Sequence, residues 1–344
     1  MQQPTQVLVT GGAGFIGSHT VVELHEAGYA PVIVDNLANS HRGILKRVNS
    51  LCGKEIPAHE LDCRDADAMR WVFRKHGQFL AVIHFAAFKA VGESVEHPAM
   101  YFDNNIGSLS RLLEAMPVEG RPGLVFSSSC TVYGQPKVLP VTESSPIQPA
   151  SSPYGYTKQV CEQLIHDAVV SPAGLKSVIL RYFNPIGAHP SGLIGELPIG
   201  APNNLVPYIT QSAAGLRPPL RVFGSDYNTP DGTAIRDFIH VVDLAKAHVK
   251  ALDILKRRPE KSFAHIANVG TGTGSSVLEA IHAFQKATGM PLSYELTDRR
   301  AGDVEAVWAA VDESKLAGWR AERGLEECMR DAWNWQMSLA NNPL

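Results

Sequence analysis

Two tyrosine–lysine pairs stand at the spacing YxxxK: Tyr133–Lys137 in "YGQPK" and Tyr154–Lys158 in "SSPYGYTK". A free phenol, with a pKa of about 10, is a poor base at neutral pH. A lysine ammonium held close by favours the phenolate. Such a tyrosine can take a proton from an alcohol while the C–H hydride leaves to an acceptor. The chemistry requires both side chains on one face of one helix. Pro136 disfavours helix just before Lys137, so the first pair is not expected to stack. In the second, Ser152 suits an N-cap and Pro153 the first helical position. "TKQVCEQLIHDAV" then continues with apolar residues at Val160, Leu164 and Ala168. On that helix Tyr154 and Lys158 lie one turn apart, and Tyr156 points elsewhere as a packing or surface residue. A third group must hold the alcohol. "SSSCTVYG" ends a strand and offers Ser129, with Ser127 and Ser128 as buried hydrogen bonders.

A second constellation lies near the start. "VTGGAGFIG" holds Gly11, Gly14 and Gly17 as GxxGxxG between a strand and a helix. Such glycines allow a tight turn, close approach of backbone to a pyrophosphate, and close helix–strand packing. The helix N-terminus then meets the phosphates with free N–H groups. The strand "PVIVD" ends in Asp35, at the place of a ribose-binding carboxylate whose charge would repel a 2′-phosphate. That favours NAD over NADP. "LDCRD" puts Asp62 after a third strand signal, where an adenine ring could lie.

The elements that must position these groups alternate. Strand signals at 7–10, 31–35, 80–86, 123–129 and 176–184 are short continuous apolar runs. They are separated by helical stretches such as 14–27, with its period through Ile16, Thr20, Leu24 and Ala27. That pattern predicts an α/β doubly wound parallel sheet, Rossmann-like, covered on both faces. After about residue 185 the texture turns Gly- and Pro-rich. This predicts a second, smaller mixed α/β lobe over the carboxyl ends of the sheet. The division is 1–185 for the dinucleotide-binding domain and 186–344 for the substrate lobe. The helix signal 240–255 lies in a return to the first lobe over about 236–258.

Bulk properties exclude several classes. A net charge of −3 over 344 residues does not suggest nucleic acid or an anionic membrane surface. No apolar run approaches bilayer length, and the N-terminal residues lack a signal-peptide pattern. Five cysteines, with no CxxC, suggest reduced thiols in a cytoplasm. HExxH is absent and His240 and His248 are badly spaced, so no metal site is expected. His84 and His240 read as core or supporting residues.

Together, GxxGxxG, the strand-end serine and the YxxxK pair resemble the extended short-chain dehydrogenase/reductase family. "VTGGAGFIGSHT", "HFAAFKAVGES", "RYFNPIGAHPSG", "NNLVPYI" and "DGTAIRDFIHVVDLA" look like its UDP-hexose 4-epimerase branch, from about residue 6 to 336. The resemblance implies an isomerase that interconverts UDP-glucose and UDP-galactose through a transient 4-keto sugar with bound NAD. It makes Tyr154 the acid/base, Lys158 its partner and grip on the nicotinamide ribose, and Ser129 the holder of the sugar 4-hydroxyl. It assigns the cofactor to Gly11, Gly14, Phe15, Ile16, Gly17, Asp35, Asn36, Asp62, Phe85, Lys89, Asn104, Tyr154, Lys158 and Tyr182. It assigns the UDP-sugar to Ser129, Asn184, Asn203, Asn204, Leu205, Phe223, Arg236, Arg300, Asp303 and Val307. It also implies a homodimer through helices near 100–115 and 154–169.

Two departures stand out. Val307 occupies a position where some members carry a bulky tyrosine that limits the pocket to plain hexoses. The smaller valine predicts acceptance of UDP-N-acetylglucosamine and UDP-N-acetylgalactosamine as well. Phe238 stands where a tyrosine is common. Other readings are a nucleotide-sugar 4,6-dehydratase, a UDP-uronate epimerase or a non-catalytic NAD-binding protein. A dehydratase needs an acid and a base after the strand-end residue, and "SCTVYG" has no carboxylate there. A non-catalytic protein has no need of Ser129, Tyr154 and Lys158 together.

Overall fold

The computed structural model describes residues 4–300 and 303–344. Seven parallel strands form the main sheet. Their spatial order is Phe263–Val269, Lys176–Tyr182, Gly123–Ser129, Ala81–His84, Gln6–Thr10, Ala30–Asp35, Ala58–Glu60. The order reverses between Gln6–Thr10 and Ala81–His84. That opens a crevice at the carboxyl edge of the sheet, where ligands of doubly wound folds bind.

Alternation along each strand builds two cores. Val7, Val9, Ile33, Ile83, Val125 and Val178 face the helices Phe15–Glu26, Gly43–Cys52 and Val241–Arg257. Leu8, Val32, Val34, Val82, Leu124 and Phe126 face Ala66–His76, Gly107–Ala115 and Pro153–Val170 on the other side. Each fully buried aliphatic side chain contributes about 1.5–3 kcal/mol, so both faces must be covered. Continuous apolar strands follow from that need.

The second lobe has a core of its own around Val206, Ile209, Phe238, Ile281, Phe284 and Met329. Phe238, lacking a hydroxyl, is buried there. The lobe's sheets are small: Asn184–Ile186 with Phe238–His240, Leu220–Phe223 with Tyr294–Thr297, and Ile235–Arg236 between Ser275–Ser276 and Ala306–Val307.

The return to the first lobe runs further than 236–258. After the helix Val241–Arg257, the strand Phe263–Val269 pairs along its whole length with Lys176–Tyr182. "FAHIANV" escapes a reading by apolar runs because it is an edge strand with a half-buried middle. The expected inner stripe of the helix Pro153–Val170 also differs. Val160, Leu164 and Ala168 are only half-buried, while Tyr154, Thr157, Lys158, Cys161, Glu162 and Ile165 face inward. Polar groups hold that face because it carries the chemistry.

Candidate active site

The glycine loop is set by sterics. Gly11 has φ +71° and lies against the backbone of Phe85 and Ala86. A Cβ on Gly17 would stand 2.1 Å from the Gly11 carbonyl oxygen. Only glycine lets the turn pass this close to its own helix. Asp35 braces the loop: its carboxylate accepts from the Ala13 N–H at 2.9 Å, the Leu37 N–H at 2.9 Å and the Ser40 hydroxyl at 3.0 Å. The residues present fit a dinucleotide, with a helix start for the pyrophosphate and a carboxylate at the second strand end.

This loop forms one wall of a cavity of about 460 Å³. Gly11, Gly14, Phe15, Ile16, Gly17, Asp35, Asn36 and Asp62 line one end; Phe85, Lys89, Asn104, Tyr154, Lys158 and Tyr182 continue the lining. Asn203 and Asn204 face it from the second lobe. Asp62 is held at about 2, below the usual carboxylate range, chiefly by its hydrogen bonds from Arg64.

The catalytic helix starts as its sequence requires. Ser152 accepts the Gly155 N–H at 3.1 Å, and Pro153 opens the first turn. Tyr154 and Lys158 project to the same buried side, with the Lys158 ammonium 5.9 Å from the Tyr154 ring centre. Tyr156 is turned out and 49% exposed. Lys158 donates to the Ser127 carbonyl at 2.8 Å. Burial brings its pKa down to about 8. Burial also pushes Tyr154 well above the ordinary phenol range, and the nearby Ser129 hydroxyl offsets only part of this. Thus Lys158 alone does not bring the phenol into range. Desolvation of the phenolate outweighs an ammonium that is itself tied to a carbonyl.

Around this pair the strand end is tightly bonded. The Ser127 hydroxyl meets Tyr182 Oη at 2.6 Å, and Ser128 donates to Glu162 at 2.5 Å. Glu162 pairs with Arg181 at 2.6 Å, and Arg181 donates to Tyr133 Oη at 3.2 Å. Tyr133 is therefore a fully buried structural residue, with no role beside Lys137. His84 is neutral, its pKa lowered to about 3 by burial, and its Nδ1 meets Thr10 Oγ1 at 2.7 Å. His240 caps its helix by accepting the Val242 N–H at 3.1 Å, and its Nε2 meets Asp331 at 3.2 Å.

The remaining substrate candidates lie off the cavity lining. Ser129 ends its strand beside Tyr154, its hydroxyl accepting the Thr131 N–H at 3.2 Å. Arg300 donates to Asp303 at 2.9 Å and lies 5.6 Å over the Phe223 ring. Arg236 joins them electrostatically, with the Asp303 carboxylate its largest opposing charge influence. Burial lowers the Arg236 pKa, and its hydrogen bond in the structure is to the Ile235 carbonyl at 2.8 Å. Its strand partner Val307 packs in one cluster with Cys130 and Val132, which brings this group up to the catalytic strand end from the second lobe. Asn184 is held by its backbone to the Asp237 carbonyl at 2.9 Å. Leu205 opens the helix Leu205–Ala213 and packs on the second core. Val307 pairs with Arg236 and is buried among Val132, Tyr133, Phe183 and Ala309.

Sequence reasoning missed Glu196. Its carboxylate binds Lys89 at 2.5 Å and Asn204 at 2.6 Å, joining the two sides of the cavity. It sits in a loop without periodicity, so no pattern marked it. All five cysteines are free thiols, and no group of three or more potential metal ligands occurs among the described residues. Among the described residues no helix is long and apolar enough to cross a membrane.

The model of the NAD dependent epimerase/dehydratase family matches residues 7–270. The chain is 51% identical over 341 residues to UDP-glucose 4-epimerase 2 of Arabidopsis thaliana, covering 98% of this chain and 95% of that protein. It is 50% identical over 331 residues to UDP-glucose 4-epimerase of Yersinia pestis, covering 96% and 97%. A solved structure of UDP-glucose-4-epimerase from Stenotrophomonas maltophila, with bound NAD and formylated UDP-arabinopyranose, matches with a TM-score of 0.93. That match has 46% identity and covers 98% of this chain and 99% of the other. The enzyme from Bifidobacterium longum in complex with NAD+ and UDP matches with a TM-score of 0.92 and 46% identity, over 98% and 99% of the two chains.

Proposed function

The chain belongs to the NAD dependent epimerase/dehydratase family, and we infer that it is an isomerase that interconverts UDP-glucose and UDP-galactose by inverting C4. The observation that carries this reading is the single cavity in which the glycine loop, Tyr154 with Lys158, and Asn203 with Asn204 meet. NAD would be held by the glycine loop, Asp35 and Lys158, and would supply a reversible hydride acceptor and, when oxidised, a positive charge that favours the phenolate.

The chain's own groups do the rest. Ser129 orients the sugar 4-hydroxyl toward Tyr154. Tyr154 takes the O4 proton as C4 becomes a ketone, and returns it to O4 once the sugar presents its other face. Lys158 keeps its ammonium next to the reacting centre and excludes water with the buried strand end. Arg236 and Arg300 grip the UDP diphosphate, a task suited to guanidinium groups. Asp303 accepts from ribose hydroxyls, Phe223 packs on the uridine, and Asn184 and Leu205 complete its walls. Anchoring one end of the substrate while the sugar is loosely held lets the 4-keto sugar turn without leaving.

Val307 is smaller than the tyrosine that some other members carry there, so we extend the substrate range to UDP-N-acetylglucosamine and UDP-N-acetylgalactosamine. We place self-association into a homodimer on the helices over 98–115 and 153–170. Their outward faces carry the half-buried Val160 and the exposed Tyr156, whose ring lies 5.8 Å from that of Phe102. A cytoplasmic location fits the five free thiols.

The test is incubation of the purified protein with UDP-galactose, no NAD being added, followed by proton NMR. Appearance of the UDP-glucose signals supports a recycled, tightly held cofactor. No conversion, even with NAD supplied, would remove the 4-epimerase reading.

A further inference from the structure

We propose that a second cleft, on the far side of the first lobe, binds a small organic cation, a primary ammonium, with the Glu23 carboxylate as its counter-ion. The cleft has a volume of about 450 Å³ and lies between the C-terminal end of the helix Phe15–Glu26, the helix Val241–Arg257 and the segment 318–322. It shares no lining residue with the cavity of Tyr154.

Its distinguishing feature is Glu23. Six carboxylates are buried among the described residues: Glu23, Asp35, Glu162, Asp237, Asp243 and Asp331. Five have partners. Glu162 pairs with Arg181, Asp243 with Arg323 and Asp331 with His240, while Asp35 and Asp237 accept backbone N–H groups. Glu23 is 9% exposed and faces the cleft, and among the described residues no hydrogen bond or ion pair reaches its carboxylate. Its oxygens reach the cleft rather than the closed interior, so the carboxylate is unpaired and partly desolvated, and a ligand that brings a positive charge offsets that cost.

The surroundings select the ligand. Lys246 and Asp243 on Val241–Arg257, Glu26 on its own helix, and Arg323 are the charged groups that most influence Glu23, and Lys250, Arg320 and Glu322 also line the cleft. Arg323 is already taken by Asp243 and Glu327. Lys246 lies outside ion-pair distance of Glu23 among the described contacts and only partly offsets its burial. Trp319 is 6% exposed, with its indole N–H fixed on the Asp243 carbonyl at 3.1 Å. It lends the cleft an aromatic wall with no free donor. Val249 and Ala27 add apolar surface for an alkyl chain. A carboxylate beside an indole and aliphatic groups suits an ammonium with a short hydrocarbon tail. A metal ion lacks ligands, since no cluster of three candidate donors exists among the described residues. An anion would have to be held by Lys246, Lys250 and Arg320, the last two on the exposed rim, against the three carboxylates Glu23, Glu26 and Glu322 of the same lining.

Proton linkage gives the test. Burial raises the Glu23 pKa to about 7, so near neutral pH part of the population holds the proton. Pairing with a cation lowers that pKa, so binding must release a proton. The holoenzyme is titrated with n-butylammonium chloride by calorimetry at pH 7, in two buffers of different ionisation enthalpy. Saturable binding that releases a fraction of a proton at pH 7, releases less as pH rises above the Glu23 pKa, and is lost in Glu23→Gln supports the site. Glu26→Gln, on the rim, should bind with release intact, and UDP-galactose turnover should be unchanged in both variants. No saturable binding, binding without proton release in the wild type, or equal binding by Glu23→Gln each overturn it. Binding of sodium butyrate in place of the amine would show a rim anion site and overturn it too.

Discussion

The two sides of the catalytic cavity are built from different material. On the cofactor side, Gly11, Asp35, Phe85 and Tyr182 stand at or just past the carboxyl ends of strands in one continuous seven-stranded sheet. On the proposed substrate side, beyond the cavity lining, Phe223 and Arg236 come from strands of four and two residues, and Arg300 and Asp303 from the chain between short strands. The first arrangement is closed by sterics and backbone hydrogen bonds. The second is held by side-chain pairs, such as Arg300 with Asp303, that a ligand can reopen. A cofactor that stays needs the first kind of site. A substrate whose sugar must turn, and which must then leave, needs the second.

The contrast predicts that the cofactor side fails abruptly and the substrate side by degrees. Tyr154→Phe, which deletes only the hydroxyl that moves the proton, should lower kcat by about 10²–10⁴ while NAD remains bound; kcat and the nucleotide released on denaturation give both readouts. Gly17→Ala should yield protein without NAD and with a lower Tm, because the new Cβ meets a backbone oxygen at 2.1 Å that cannot move aside. Full NAD content in that variant would break the account of the cofactor side. Arg236→Ala should keep its NAD and raise KM by roughly 10–100-fold, since a hydrogen bond to a charged group contributes about 1.5–3 kcal/mol. A loss in kcat with KM unchanged would move Arg236 from anchor to catalyst.

The pH dependence sharpens the boundary between the two sides. Lys158 is a base whose pKa is depressed from 10.5 to about 8. Its charge is present below that value and lost above it. Activity should therefore decline as pH rises through about 8, and a profile flat into the ordinary lysine range would contradict a charged Lys158. The smallest change to the plain reaction should come from Val307→Tyr. UDP-galactose turnover should stay within about twofold, while UDP-N-acetylgalactosamine turnover falls by about tenfold or more. Equal effects on both sugars would show that Val307 does not shape the sugar pocket.

The same contrast explains what was readable beforehand. Gly11, Gly14, Gly17, Asp35, Tyr154 and Lys158 obey rules of local geometry: a turn that admits no Cβ, a strand end, two residues one helical turn apart. Spacing alone therefore located them. Arg236, Arg300 and Asp303 obey no such rule, because their meeting depends on how three small sheets pack, and only resemblance marked them. Glu196 was invisible for the same reason, being joined to Lys89 across 107 positions of chain. The edge strand Phe263–Val269 was hidden by its polar centre. The protonation of Tyr154 could not be read from the pair Tyr154–Lys158, because burial, a property of the whole fold, outweighs the charge of one neighbour.

The central claim is that C4 is inverted by moving one hydride off and back within a closed site, with Tyr154 handling only the O4 proton. The direct test is to run the conversion of UDP-galactose in D2O and examine C4 of the UDP-glucose formed. The account predicts protium retained at C4 through complete conversion, because the hydride never meets solvent. Deuterium at C4 would mean that the carbon is deprotonated and reprotonated, and the redox mechanism would have to be given up.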